Sequence, residues 1–148
     1  VGVSVVNALS IWLDLTIWRG DKEHYARFEN GVTTQHLKVV REAQGFRGTR
    51  VTFMPSNEIF TMTEFDFSTV EHRLRELAFL NSGVRIRLVD MRQDPAAEVE
   101  FYYEGGTQAY VQYLDKSKTA LHNTVMITGE KDGISVEVAM QWNDSYHE

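Results

Sequence analysis

Alternating apolar and polar positions dominate the first sixty residues. Ile11, Leu13, Leu15 and Ile17 alternate with Trp12, Asp14, Thr16 and Trp18. That period predicts a strand whose aliphatic face meets the core. Arg19-Gly20-Asp21-Lys22 predicts a turn. His24, Ala26 and Phe28, alternating with Tyr25, Arg27 and Glu29, predict the second arm of an antiparallel hairpin, closed by Asn30-Gly31. Residues 32–48 are polar and mixed, with one short strand expected at Leu37 to Val40 and a flexible turn at Gln44 to Gly48. Thr49 to Met54 alternates again, with Val51 and Phe53 on one face, and Pro55-Ser56-Asn57 stops it.

The period then changes to that of a helix. Val70, Leu74, Leu77 and Ala78 form one apolar stripe. Ser68 and Glu71 read as a capping box at its start, and Gly83 as the C-terminal cap. Val84, Ile86 and Leu88 predict a strand face opposite Arg85 and Arg87. Asp94-Pro95 is a turn, Val99 to Tyr103 a strand, and Gly105-Gly106 opens a short helix with Tyr110, Val111 and Leu114. From Thr124 the pattern is all strand: Val125 to Thr128, a Lys131-Asp132-Gly133 turn, and one face from Ile134 to Trp142. The expected domain boundary lies near Asn123, where mixed α and β gives way to a hairpin.

Composition narrows the classes. The chain has 148 residues, 43% hydrophobic and 24% charged, which suits a folded domain. Fifteen basic against twenty-one acidic residues give a net charge of −6, against a segment that grips a nucleic-acid backbone by charge alone. There is no cysteine, so disulfides, thiolate metal sites and cysteine nucleophiles are excluded. No apolar run has the length of a membrane span, and a cytoplasmic location is expected.

Candidate chemistry is sparse. The opening V-G-V-S-V-V-N-A-L-S runs a glycine turn into an apolar segment. Unpaired N–H groups at such a helix mouth bind anions. A phosphate site and an ordinary turn before a buried helix both fit. Ser4 lacks the second glycine of a nucleophile elbow. His24, His36, His72, His122 and His147 show no metal-ligand spacing. Arg85 and Arg87 fit either an anion site or the wet side of a half-buried sheet. Gly105-Gly106 reads as a helix start.

The ordered motifs add more. The opening stretch resembles the end of the glycine-rich ATP-lid motif of the gyrase B family. Gly48-Thr49-Arg50-Val51-Thr52-Phe53, Phe65 to Phe67, Arg73 to Gly83, Tyr103-Glu104-Gly105-Gly106 and Glu137 to Asp144 follow in the family's order. The resemblance implies an α+β fold: the Bergerat-type (GHKL) two-layer ATPase sandwich on a mixed, mainly antiparallel sheet. Residues 1–123 would be the C-terminal part of that domain and 124–148 the start of a transducer domain. It implies a type II topoisomerase subunit that uses ATP and Mg²⁺ to drive strand passage and negative supercoiling. Implied partners are DNA, the gyrase A subunit and a second copy of the subunit, joined on ATP binding. The related topoisomerase IV subunit, and a noncatalytic α/β binding module, are the alternatives. By position, Val1, Gly2 and Val3 match the phosphate loop. Thr49 matches a threonine that helps hold adenine through an ordered water, Val51 an adenine-pocket wall, and Arg19 the pocket rim where aminocoumarin-type inhibitors lie. The family's general-base glutamate, Mg²⁺-binding asparagine and adenine-reading aspartate would lie upstream, and its γ-phosphate lysine downstream. No catalytic residue is expected within this chain, and the segment alone is expected to be inactive.

Overall fold

The computed structural model describes residues 2–145, so Val1 and His147 lie outside the described residues. The chain forms two compact units, one ending at Glu64 and the other beginning at Phe65.

The first unit opens with a short helix α1 (Val3–Ala8). Four strands follow: β1 (Ser10–Arg19), β2 (Lys22–Glu29), β3 (Val32–Glu42) and β4 (Gly48–Pro55). They form one antiparallel sheet in the order β3-β2-β1-β4. Leu13, Leu15 and Ile17 face Phe28, Ala26 and His24 on β2, and Phe53, Val51 and Thr49 on β4. Side chains directly opposite each other share a face, so these nine residues line one side. Leu13 and Ala26 are buried, while Val51 and Phe53 remain well exposed. The helix α1 has no buried residue, which goes against the one of the two readings that had an ordinary turn before a buried helix.

The third strand corrects the expectation of a polar segment with a four-residue strand. β3 runs for 11 residues, nearly all exposed, at the rim of the sheet. A rim strand needs no apolar alternation. Register shifts against β2 between Glu23 and His24, and between Tyr25 and Phe28, erase what period remains.

The second unit contains α2 (Phe67–Leu80), β5 (Ile86–Asp90), β6 (Ala97–Phe101), α3 (Gly106–Leu114), β7 (Val125–Lys131) and β8 (Ile134–Met140). The strands pair as two antiparallel hairpins, β5-β6 and β7-β8. The cap of α2 is Asp66 rather than Ser68. Its Oδ1 accepts from the Thr69 N–H at 2.7 Å and the Thr69 hydroxyl at 2.6 Å. Glu71 instead accepts from Arg75, one turn along, at 2.5 Å. The helix ends at Asn81, and Gly83 lies beyond it, donating to the Tyr103 carbonyl at 2.9 Å.

The buried face of α2 also differs from the predicted stripe. Leu77 is exposed, whereas Ala78 and Phe79 are buried. Aromatic partners decide this. Phe79 stacks on Tyr103 with ring centroids 3.6 Å apart and meets Tyr110 and Tyr113 at 5.2 and 5.3 Å. Three rings on one side outweigh the simple helical period. Arg75 completes the cluster, its guanidinium lying over Phe101 and Tyr113 and donating to the Tyr113 hydroxyl at 3.1 Å.

The last strand stops at Met140, two residues short of the predicted face. Trp142 leaves the ladder because its N–H donates to His122 Nε2 at 3.1 Å and its carbonyl accepts from Leu121. Asn143 donates to Asp115 at 2.8 Å, and Asp144 accepts from the Thr119 N–H at 3.0 Å. The Trp-Asn-Asp run is thus a clasp on the segment from Asp115 to His122.

Phe79→Ala is expected to cost about 3–5 kcal/mol of unfolding free energy, measured by urea denaturation. A second expectation concerns acid. Asp90 is buried and bound by the Arg92 guanidinium at 2.9 and 2.7 Å. Those hydrogen bonds lower its carboxyl from 3.8 to about 2. A lowered carboxyl stabilises above its unfolded value and stops doing so as pH falls through the folded one. The pair's contribution is therefore complete above about pH 4 and lost toward pH 2. Acid titration of Asp90→Asn, followed by circular dichroism, is expected to show a shallower loss across that window.

Candidate functional site

The described residues matched to the nucleotide pocket, Gly2, Val3, Arg19, Thr49 and Val51, fall on the first unit. Gly2 is the N-cap of α1, at φ 83° and ψ −119°. Its carbonyl accepts from the N–H groups of Val5 and Val6 at 2.9 and 3.2 Å. No side chain caps the helix, and the first N–H groups of a helix have no partner within it. Val3, the first helical residue, is exposed. Val1 is outside the described residues.

The short helix is anchored at its far end. Ser10 Oγ donates to the Val6 carbonyl at 2.6 Å, and the Ser56 N–H donates to the Leu9 carbonyl at 3.0 Å. These bonds hold α1 against the Ser10 end of β1. A substitution at Gly31 would place a Cβ 3.6 Å from the Ala8 Cα, so the β2-β3 turn also lies beside α1.

Thr49 and Val51 stand on β4 opposite Ile17 and Leu15. Arg19 is two residues beyond Ile17 on β1, so it shares their face. The sheet therefore gathers Arg19, Thr49 and Val51 on one side, near the end of β1 away from α1. Gly2 and Val3 belong to the other end of that strand. All three gathered residues are exposed.

The opposite face of the sheet is polar and closely bonded. Asp14 accepts from the Tyr25 hydroxyl at 2.7 Å and from Arg27 at 2.9 and 3.0 Å. The bond to Asp14 raises the Tyr25 phenol above its ordinary value. Glu23 is held below its ordinary value, chiefly by its hydrogen bond from Arg41. The sequence pattern placed Asp14, Tyr25 and Arg27 opposite the apolar positions and gave them no further role. The signal was the pairing of Asp14 with Arg27 across the turn, which register alone reveals.

Other candidates fall away. Arg85 pairs with Glu100, and Arg87 with Glu98 at 2.7 Å through Nη2, so neither is left for an anion. Gly105 sits where a Cβ would come 2.6 Å from that of Ala109, a packing reason for glycine. The carboxylate of Glu137 on β8 meets the Thr107 hydroxyl at the start of α3. Among the described residues no group of three or more His, Asp or Glu side chains is placed to hold a metal ion. No described helix is long and apolar enough to cross a membrane.

This arrangement has known counterparts. The 43K ATPase domain of Thermus thermophilus gyrase B, solved in complex with an aminocoumarin, superposes with a TM-score of 0.83 at 36% identity. The match covers 99% of this chain and 40% of that one. The DNA gyrase B subunit of Rickettsia felis is 61% identical over the whole chain. From end to end, this chain is of gyrase B type.

A gyrase B subunit of Caulobacter vibrioides is 48% identical, also over the full chain. No family model matches the sequence. The chain spans 19% of the Rickettsia relative's length and 20% of the Caulobacter one's. Its fold is that of the gyrase B ATPase domain, an α+β architecture of helices and antiparallel sheets, as the sequence predicted.

Gly2 tests the opening of α1. No atom lies within 4 Å of a Cβ built there, so a substitution meets only the backbone penalty at φ 83°. That conformation mirrors the extended one, is open in practice only to glycine, and costs an L-residue on the order of 1–3 kcal/mol. Gly2→Ala is expected to speed amide exchange at Val5 and Val6, followed by NMR, while Leu13 exchange stays unchanged.

Proposed function

We propose that this chain is part of the ATP-hydrolysing subunit of a type II DNA topoisomerase of the gyrase class. The full-length match to a gyrase B ATPase domain, at 36% identity and a TM-score of 0.83, carries that reading. The parent protein would use ATP binding and hydrolysis to pass one DNA duplex through another. Its partners would be DNA, the gyrase A subunit and a second copy of itself, and its setting the cytoplasm.

Within this segment, Val1, Gly2 and Val3 would line the triphosphate. The positive φ of Gly2 and the uncapped start of α1 support this, since free amides at a helix mouth favour anionic oxygens. Thr49 and Val51 would face the adenine, and Arg19 would stand at the rim. Their common face on adjacent strands supports the grouping. The neighbour's aminocoumarin complex supports a ligand pocket on this domain. We place the domain boundary at residue 124, where β7 and β8 begin a hairpin of their own.

Mg²⁺ does not fit the side chains described here, because they supply no cluster of acidic or imidazole ligands. This segment would contribute amides and an adenine wall, with metal binding and proton removal left to other parts of the parent. Phosphoryl transfer to water needs an oriented nucleophile and charge neutralisation. The isolated segment is therefore expected to show no Mg²⁺-dependent ATP turnover in a phosphate-release assay; robust turnover would overturn the reading. In the parent protein, Thr49→Ala is expected to weaken ATP binding about three- to tenfold, the loss of one hydrogen bond, measured by calorimetry.

A further inference from the structure

The polar face of the four-stranded sheet carries a separate feature. Arg41, Glu23, Trp18 and Gly48 stand opposite one another in a single row across β3, β2, β1 and β4. Arg50 stands on the same face, two residues from Gly48. Glu23 is buried at 8% exposure and fully engaged. It accepts from Arg41 at 2.9 Å on each oxygen and from the Trp18 indole N–H at 2.8 Å. The indole so fixed carries the Arg50 guanidinium 5.1 Å from its ring centroid. The chain from Ala43 to Arg47 closes the end of this row into an open pocket of ≈ 470 Å³.

Three guanidinium groups line that pocket, and Glu23 answers only one of them. Among the described residues, Arg47 and Arg50 form no ion pair with a carboxylate, although Glu42 also lines the pocket. Stacking on an indole orients a guanidinium while leaving its N–H edge free. That edge suits the paired oxygens of a phosphate. The Phe46 ring lies in the same pocket at 67% exposure, an open flat surface.

We infer that this pocket binds phosphate-ester ligands, with Arg47 and Arg50 taking the phosphate oxygens and Phe46 the adjoining flat group. The ligand chemistry has two sources, a small free phosphate compound or a nucleic-acid strand. A net charge of −6 opposes long polyanions over the chain as a whole, but this cluster is locally cationic. Trp18, Glu23 and Arg50 lie on the face away from Arg19 and Val51, while Thr49 borders the pocket as well. The binding groups Arg47, Arg50 and Phe46 are none of the residues assigned to the nucleotide, so the inference stands or falls independently of the ATP reading.

The test is an NMR titration of the full chain, following the arginine Nε–Hε signals. Inorganic pyrophosphate and a short single-stranded oligonucleotide are the probes, with citrate as a carboxylate control. Arg47 and Arg50 signals are expected to shift with at least one phosphate probe and not with citrate. A response to pyrophosphate assigns a small-phosphate site; a response to the oligonucleotide alone assigns a nucleic-acid strand. Arg47→Gln/Arg50→Gln, with an unchanged melting curve, is expected to weaken the responding probe about tenfold. In the oligonucleotide case its salt slope should flatten by about 1.4, at about 0.7 per phosphate contact. Unmoved arginine signals, an equal response to citrate, or unaltered affinity in the double variant would each overturn the inference. The wild-type titration decides the matter even where the variant does not fold.

Discussion

The first unit depends on one strand being hydrogen-bonded along both edges. β1 pairs with β2 over eight consecutive residues and with β4 over nearly its full length. That double ladder fixes which residues share a face. Odd-numbered positions from Leu13 to Arg19 turn to the apolar side, and Asp14, Thr16 and Trp18 to the polar side. Every functional grouping in this unit follows from that division. The adenine-wall candidates Val51 and Thr49 share one side with Leu15 and Ile17, and Trp18, Glu23 and Arg50 take the other, with Thr49 also bordering the arginine-lined pocket.

The second unit is held differently. Its centre is a cluster of rings around Phe79, to which α2, the residues after β6 and α3 each contribute. Arg75 ties the same elements with a charge that is neutralised by Glu71 and stacked on two rings. Side-chain hydrogen bonds then fasten the end of β8 to the segment after α3. Backbone ladders organise the first unit; side chains do more of that task in the second.

This difference explains what could be read in advance. Central strands advertise themselves, because Leu13 and its neighbours must alternate to bury one side. The β1-β2 hairpin and β4 were legible for that reason, and α2 was legible from its helical period. β3 was not, because it is exposed on both faces and its register shifts break the period. The choice of Asp66 over Ser68 as cap was hidden because both residue types cap helices equally well. Phe79 was missed because its burial is set by Tyr103, more than twenty residues away in sequence. For the site, the phosphate-loop and adenine-wall residues were legible only through resemblance to a known family. No spacing rule picks out Thr49. The cationic pocket was invisible because its residues come from four strands and the loop before β4, and meet only once the strands are in register.

The strict parity of β1 has a consequence for how such chains change length over generations. One codon gained or lost between Leu13 and Ile17 would turn each following side chain over, sending Trp18 inward and Arg19 outward. Indels in that strand should therefore be purged, whereas the bend from Gln44 to Gly48, outside any ladder until its last residue, is free to grow or shrink. Divergence in ligand preference among related proteins should accordingly accumulate around Phe46 and Arg47 long before it reaches the central ribbon.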